Sequence, residues 1–318
     1  MRTYKTEILL KNDDPSLRFL PEGPYRVGND RLSWVAIQHS ADATNGSLNL
    51  LDLQSGENKN YALPGRPGFA FPTDRDGVFV VGLERHIQLF DINSGQSTII
   101  SDAVEEDVEN TIINDGLVID GGLIFGCKDL EFATEKAGLY LYRTANKELV
   151  RLRNDQICSN GKIFVQDGDK GILYDIDSPT RTVVKYEIDI VAGTASEPTV
   201  VIDLRKEPAV PDGMVETPDG KSCIISFYDP NPSPYGTSRQ YSLETGELEA
   251  VWQTDRAPRV TCPQLVRIDG VVKLVMTTAV EHMSDEEQAE ATNSGNLFVG
   301  ETEFDDVPAN PLFVLASQ

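Results

Sequence analysis

The chain has 318 residues, with 28 Lys and Arg residues against 51 Asp and Glu residues, for a formal net charge of −23. This acidic excess argues against nucleic-acid binding, because a phosphate backbone requires a positive protein face, and against binding to anionic membrane surfaces. No run of about 18 apolar residues, the length a membrane-spanning helix needs, is present. Residues 1–20 are charged and polar and lack the apolar stretch of a signal peptide, so we expect a cytoplasmic location.

Short apolar runs bounded by turn residues predict β-strands along most of the chain. Runs rich in β-branched and aromatic residues occupy residues 78–81, 163–165, 223–227 and 271–276. One helical segment is predicted at residues 284–292, where Ser284 can cap a polar turn that contains Glu287. These elements predict an all-β protein with a single short helix.

A strand that ends in apolar residues and a polar turn, often with Ser-Gly or Thr-Gly, recurs along the sequence. Its six copies are anchored at Leu50, Leu89, Leu141, Tyr186, Tyr241 and Leu297, with intervals of 39, 52, 45, 55 and 56 residues. Such a period, with several short strands per copy, is typical of propeller blades, and the glycine turns suit hairpins between the outer strands of a blade. We therefore predict a six-bladed β-propeller forming one domain over residues 1–318, with a pair of β-sandwiches as the rival interpretation.

A propeller must close its ring, and the two ends of the chain are the candidates for this closure. The apolar segment at residues 311–315 is predicted to pair with residues 7–10. The four cysteines are widely spaced and show no Cys-x-x-Cys pair, so we expect buried, reduced thiols of the kind found in cytosolic proteins. They are Cys127, Cys158, Cys223 and Cys262.

Four short fragments place an oxygen ligand next to a glycine, and each lies in a different repeat. They are Glu22-Gly23-Pro24, Asn114-Asp115-Gly116, Ser159-Asn160-Gly161 and Pro211-Asp212-Gly213-Met214. Carboxylate and amide oxygens suit a hard cation such as calcium or magnesium, and a glycine lets the backbone turn sharply into a site. In a ring of repeats, all four fragments can meet at the centre.

Each fragment also has a simpler interpretation. Asn-Gly and Pro-Asp-Gly are common turn sequences, and Glu22 taken alone is a solvated loop residue. A second tripeptide, Pro218-Asp219-Gly220, is expected to be an ordinary hairpin turn. The three histidines share no spacing for zinc, and neither a Gly-x-Ser-x-Gly elbow nor a phosphate-binding glycine loop is present.

Taken together and in order, these fragments resemble the senescence-marker-protein, gluconolactonase and luciferin-regenerating-enzyme family of six-bladed propellers. The resemblance covers nearly the whole chain. It rests on the four fragments above, on the strand at residues 123–126, on residues 175–181 after the Asn-Gly motif, and on the late strand at residues 276–279.

The resemblance implies one divalent cation at the axial mouth, held by Glu22, Asn160 and Asp212, with Asn114 touching the metal or the substrate. All-oxygen ligands favour Ca²⁺, and Mg²⁺, Mn²⁺ or Zn²⁺ are alternatives. Family members commonly hydrolyse sugar lactones or other esters, so a small-molecule lactone or ester is the implied substrate. The metal would activate a water, Asp212 would accept its proton, and Asp212 and Asn114 are the implied catalytic residues.

One position departs from the family pattern. Sugar-lactonase members usually carry an arginine two residues before the Asn of the Asn-Asp-Gly motif, and this chain has Ile112 there. A forked donor has become apolar, so we expect a less hydroxylated lactone or another ester as substrate. Lys128, Asp129 and Glu131 fall where the resemblance implies substrate contacts, and Lys128 can supply the missing charge; a solvated loop is the alternative.

Two other functions stay open at this point. A metal-binding propeller without catalysis would keep the fold and the cation, and metal-dependent turnover of a lactone would decide against it. A hydrolase of phosphotriesters would share the architecture, and comparing the two turnovers would separate these. The sequence predicts neither the oligomeric state nor the individual substrate.

Overall fold

The computed structural model describes residues 1–102 and 104–315, which form 25 β-strands and one short α-helix. The first strands are β1 (Arg2–Leu10), β2 (Pro21–Val27), β3 (Arg31–Ala36), β4 (Gly46–Asp52), β5 (Asn58–Leu63), β6 (Pro67–Pro72), β7 (Val78–Leu83), β8 (His86–Asp91) and β9 (Gln96–Ser101). The middle strands are β10 (Thr111–Ile119), β11 (Gly122–Asp129), β12 (Ala137–Arg143), β13 (Glu148–Gln156), β14 (Ser159–Asp167), β15 (Lys170–Asp177), β16 (Thr182–Asp189), β17 (Thr194–Ala195) and β18 (Thr199–Asp203).

The last third of the chain contains the remaining elements. They are β19 (Val210–Glu216), β20 (Ser222–Tyr228), β21 (Tyr235–Ser242), β22 (Leu248–Asp255), β23 (Val260–Ile268), β24 (Val271–Thr278), α1 (Asp285–Glu290) and β25 (Leu297–Glu301). Helix α1 begins with the predicted capping box of Ser284 and Glu287, because the Ser284 side chain accepts the Glu287 N–H and the Glu287 side chain accepts the Ser284 N–H. No helix within residues 1–102 and 104–315 has the length and apolar character needed to span a membrane.

The strands form five sheets with a simple up-and-down order. Three of them are β2-β3-β4-β5, β6-β7-β8-β9 and β10-β11-β12-β13, the fourth is β14-β15-β16-β17 with β18 also on β16, and the fifth runs β19-β20-β21-β22-β1-β25-β24-β23. The first strands of the first four sheets and the two end strands of the fifth, which we call the first strands, contact one another in cyclic order: β2, β6, β10, β14, β19, β23 and again β2. The fold is therefore all-β and propeller-like.

The N-terminal strand closes the ring. The first half of β1 pairs in parallel with β22, with Tyr4 opposite Trp252, and its second half pairs antiparallel with β25, with Ile8 opposite Phe298. Tyr4 stacks on Trp252 with ring centroids 5.0 Å apart, and the Trp252 indole donates to the Glu301 carbonyl at 2.8 Å. The buried Trp252 side chain thus contacts both β1 and β25 and stabilises β1 between β22 and β25.

The predicted partner of β1 was wrong. Residues 311–315 do not pair with residues 7–10; instead Phe313 forms an isolated bridge with Thr73. Its side chain is 1% exposed and packs in a cluster with Phe71 and Tyr142. Burial accounts for Phe313 alone, which packs between the second and third sheets, since Leu312 and Val314 on either side of it are 45% and 58% exposed.

The repeat that the sequence indicated is confirmed. Its anchors Leu50, Leu89, Leu141 and Tyr186 lie in β4, β8, β12 and β16, the third strands of the first four sheets. Tyr241 and Leu297 lie in β21 and β25, each of which is third from one end of the eight-stranded sheet. After three of these strands a glycine with positive φ closes the turn, with Gly56, Gly95 and Gly246 each donating to a carbonyl four residues back. In the described residues the four cysteines are free and buried, as predicted.

Candidate functional site

The predicted ligand residues lie within first strands, at irregularities in their pairing. The register shifts between Glu22 and Tyr25 in β2, between Asn160 and Lys162 in β14, and across Asp212 in β19. A bulge re-aims a side chain that would otherwise alternate across the sheet. The hairpin-turn interpretation of the Asn160 and Asp212 fragments was therefore wrong, and Glu22 lies in β2 and not in a solvated loop. Pro218-Asp219-Gly220, in contrast, does form the hairpin turn between β19 and β20.

Two of the glycines allow neighbouring first strands to approach closely. A Cβ on Gly161 would lie 2.5 Å from the Met214 amide nitrogen and 2.8 Å from the Asp212 carbonyl oxygen. A Cβ on Gly213 would lie 2.4 Å from the Cys262 sulfur. Any side chain at these two positions would push β14, β19 and β23 apart, so the glycines bring the strands that carry Asn160 and Asp212 together.

Asn114 and Asn160 are in direct contact. The Asn114 amide nitrogen donates to the Ser159 carbonyl at 2.9 Å and to the Asn160 side-chain oxygen at 3.0 Å. The Ser159 carbonyl can only accept a hydrogen bond, so the Asn114 atom that faces it must be the amide nitrogen. That nitrogen donates to Asn160 as well, so the Asn160 atom that faces it must be the amide oxygen. The Asn160 nitrogen donates to the Ser178 hydroxyl at 2.8 Å. The Asn160 side chain is thus held at both ends, and its oxygen keeps a second lone pair.

Glu22 and Asp212 are buried carboxyl groups that influence one another. Their residues are each 9% exposed. Burial raises the pKa of Glu22 to about 8, aided by the charge of Asp115 and opposed by the Gly23 N–H, which donates to the carboxylate at 2.7 Å. Burial also raises the pKa of Asp212 well above its usual range, and the charge of Glu22 adds to that shift. Two such groups would be stabilised in their ionised form by a cation between them.

Lys128 joins the same region from the neighbouring strand. It is 7% exposed and stands directly opposite Ile112 in the β10–β11 pair, so the two side chains share one face of the sheet. Its charge opposes the rise in the pKa of both Glu22 and Asp212. Glu131 is exposed and accepts a hydrogen bond from Asn110 at 3.3 Å, so the structure does not bring it to the cluster.

Three residues near Asp212 were not predicted. The charge of Glu281 contributes to the raised pKa of Asp212, the Tyr228 hydroxyl donates to the Glu281 carbonyl at 2.8 Å, and the Arg259 guanidinium lies 5.4 Å from the Tyr228 ring centre. They come from strand ends and loops of the fifth sheet, and no short motif marks them. The only sequence signal was the aromatic end of the predicted strand at residues 223–227.

The donor set decides which cations fit. Within residues 1–102 and 104–315, no group of three or more His, Cys, Asp or Glu side chains is arranged to hold a metal ion. The candidate set instead combines the carboxylates of Glu22 and Asp212 with the amide oxygen of Asn160. These are hard oxygen donors, which fit calcium or magnesium better than a soft metal.

A cavity of about 500 Å³ continues along the centre of the ring from these residues. Residues that follow the candidate ligands in their strands line it, among them Asp115, Lys162 and Met214, and residues 308–311 border its far end. The Tyr25 hydroxyl donates to the Pro311 carbonyl at 2.6 Å, which fixes the C-terminal segment there. The candidate ligands therefore lie towards the N-terminal ends of the first strands, at the opposite mouth.

Comparison with known proteins supplies the family. The sequence model described as SMP-30/Gluconolactonase/LRE-like region matches residues 20–280. The chain belongs to this family. The match covers the four fragments and the strands that carry them, and it confirms the resemblance found in the sequence.

The proteins similar to this chain match different shares of its length. A Bacillus subtilis protein provisionally named as a sugar lactone lactonase is 28% identical over 58% of the chain and 59% of its own length. An L-arabinolactonase from Azospirillum brasilense is 28% identical over 76% of both proteins. The solved structure of a calcium-binding regucalcin from Agrobacterium tumefaciens has a TM-score of 0.79, covering 98% of this chain and all of that one at 22% identity. This last likeness supports the propeller fold.

Proposed function

We propose that this protein is a metal-dependent hydrolase that opens a small-molecule lactone, built as one six-bladed propeller domain over residues 1–318. The observation that carries the proposal is the burial of the Glu22 and Asp212 carboxyl groups near the Asn114–Asn160 pair, on the first strands of a closed ring. The names of the bacterial relatives, one an L-arabinolactonase and one provisionally a sugar lactone lactonase, support lactone hydrolysis.

The strand order supports a count of six blades. Four sheets give one blade each, and the eight-stranded sheet divides at β1 into β19-β20-β21-β22 and β23-β24-β25-β1. Six first strands then line the axis, which is the arrangement of a propeller. Closing the last blade with the N-terminal strand joins the two ends of the chain and leaves no open sheet edge between them.

Glu22, Asn160 and Asp212 would hold one divalent cation, for which calcium is our first choice and magnesium, manganese and zinc are the alternatives. With two carboxylates and one amide, these residues carry a charge of −2 when ionised, which balances the ion. The calcium-binding regucalcin with a similar fold supports this choice. When bound, such a cation polarises a lactone carbonyl and lowers the pKa of a bound water.

The residues of the chain have separate tasks in the reaction. The Asp212 carboxylate accepts the proton of the attacking water. The Lys128 ammonium lies close enough to affect both carboxyl groups, and it stabilises the negative charge that develops on the lactone oxygen. Asn114 is held by the Ser159 carbonyl and by Asn160, so its remaining amide oxygen can orient the metal-binding residues or the substrate.

The test is a hydrolysis screen over several lactones and one phosphotriester, with EDTA and with each divalent cation. Asp212→Ala is expected to abolish cation-dependent hydrolysis and cation binding measured by calorimetry. Asp219→Ala is the matched control, because Asp219 occupies the same Pro-Asp-Gly tripeptide in an exposed hairpin turn. Unchanged binding and hydrolysis in Asp212→Ala would reject the proposal, turnover of the phosphotriester alone would replace the substrate class, and cation binding without any turnover would leave a non-catalytic propeller.

A further inference from the structure

The loop between β11 and β12 displays apolar side chains next to the candidate site. Leu130 is 37% exposed and Phe132 is 48% exposed. The loop follows the end of β11 at which Asp129 pairs with Thr111, the first residue of β10. Asn114 lies three residues further along β10, so the loop stands at the mouth that carries the candidate ligands rather than at the opposite end of the ring.

Phe132 also has an unfavourable backbone conformation. Its φ is +51°, in the left-handed region that glycine and asparagine enter readily and that bulky side chains rarely adopt. A half-exposed phenyl ring gains little from burial to offset this strain. Strained residues of this kind cluster at binding sites, where the surrounding structure enforces them. Neither backbone preference nor core packing explains why residue 132 is a phenylalanine.

The loop is held rigidly by one buried carboxylate. The Asp129 side chain is fully buried and accepts the backbone N–H groups of Glu131, Ala133 and Thr134 at 3.0–3.1 Å. It also forms a salt bridge with Lys136 at 3.0 Å. Because these bonds fix the backbone on both sides of Phe132, the ring is presented in a defined position before any ligand arrives.

Phe132 is connected to the candidate site through Lys128. The Lys128 ammonium lies 5.8 Å from the centre of the Phe132 ring, within the range of a cation–π contact. On the other side, Lys128 is paired across the strands with Ile112, which is buried. A lactone bound at the candidate ligands would therefore meet one ammonium group, with the Phe132 ring beside it, and no forked donor from residue 112.

We propose that Phe132, with Leu130 beside it, forms a subsite for an apolar substituent, so that the preferred substrates are lactones carrying an aryl or alkyl group and not polyhydroxylated sugar lactones. This inference rests on the proposed lactone hydrolysis. A flat aryl group can lie against the exposed Phe132 ring, while the ring hydroxyls of a sugar lactone would face apolar carbon and lose hydrogen bonds to water.

The experiment compares dihydrocoumarin, an aryl-fused lactone, with glucono-δ-lactone on the calcium-loaded full chain. Wild type is expected to give the higher kcat/KM with dihydrocoumarin. Phe132→Gly should lower the ratio of the two kcat/KM values at least 10-fold, a change of about 1.4 kcal/mol in relative transition-state binding. The same variant should keep or raise Tm, because glycine relieves the positive φ. Val271→Ala, which trims an exposed apolar side chain on the β23–β24 hairpin, should change neither the ratio nor Tm.

The outcomes separate the subsite from the proposed function. If wild type hydrolyses lactones but prefers glucono-δ-lactone, or if Phe132→Gly leaves the ratio unchanged, the subsite is rejected while lactone hydrolysis stands. If Phe132→Gly lowers Tm and reduces both rates equally, Phe132 has a structural role and the subsite is again rejected. If wild type hydrolyses neither lactone with any divalent cation, the proposed function fails and the subsite fails with it.

Discussion

Without the proposed cation, the free energy of unfolding of this protein should fall as pH rises from 5 to 7. The Glu22 carboxyl has a pKa of about 8 in the folded chain without metal, against an ordinary value of 4.5. Between these two values the unfolded chain has released the proton and the folded chain retains it. Stability therefore falls as pH rises, since it decreases wherever the folded state binds more protons than the unfolded state.

The size of the effect follows from the same shift. A group that is protonated in only one state changes the free energy of unfolding by about 1.4 kcal/mol per pH unit. Allowing for partial titration at the two ends, Glu22 alone gives a loss of about 2.5 kcal/mol between pH 5 and pH 7 in EDTA. The pKa of Asp212 is raised as well, and its contribution has the same sign.

Urea denaturation in EDTA at pH 5, 6 and 7 measures this loss. Glu22→Gln provides the control, because it removes one titrating group and should reduce the dependence of stability on pH to the part that Asp212 contributes. Calcium at about 100 times its dissociation constant should then add about 2.7 kcal/mol. At one fixed calcium concentration, the gain should grow as pH rises, because the ligands must release protons to bind the ion and the dissociation constant therefore falls. A metal-free stability that stays level or increases from pH 5 to pH 7 would mean that Glu22 is ionised in the folded chain, which would refute the reasoning.

Two further predictions concern the stability of the β11–β12 loop and of the closing strand β1. Asp129→Ala should lower the free energy of unfolding by about 3 kcal/mol in urea denaturation, since it leaves Lys136 and three loop N–H groups without their buried partner; a loss below 1 kcal/mol would show that the loop is held otherwise. Deleting residues 2–10 should abolish cooperative thermal unfolding, because β1 is the strand that pairs with both β22 and β25 and closes the ring. Glu303→Ala, which removes only exposed contacts to Arg2 and Tyr4, should cost less than about 1 kcal/mol.

The repeat was predictable because it depends on local sequence. The turn after a third strand is formed by residues that are adjacent in the sequence. Its composition can therefore be recognised wherever it occurs, without knowledge of the fold. The closing strand pair was not predictable in the same way. Residues 297–301 and 311–315 are both apolar, and only the three-dimensional packing shows that the former pair with β1 while Phe313 is buried against Phe71.

The candidate ligands show a different limit of sequence reasoning. Asn160-Gly161 and Asp212-Gly213 look locally like hairpin turns, as Asp219-Gly220 is. They differ from a turn because β14, β19 and β23 lie too close together to leave room for a side chain at residue 161 or 213. This closeness depends on segments that are far apart in the sequence. The contacts of Tyr228, Arg259 and Glu281 are likewise long-range, so no window of sequence could reveal them.

The family resemblance implies an arginine at the position of Ile112, and strand register relates this position to Lys128. Because Ile112 and Lys128 are direct partners across β10 and β11, a positive charge is kept on the same face of the sheet while its chemistry changes. A guanidinium offers a rigid fork that can bind two hydroxyl groups at once, whereas an ammonium is a compact point charge. A point charge suffices for one developing oxyanion but does not organise a row of hydroxyls. Ile112 with its partner Lys128 and the exposed ring at residue 132 therefore both support the proposed substrate, a lactone with one polar centre and an apolar remainder.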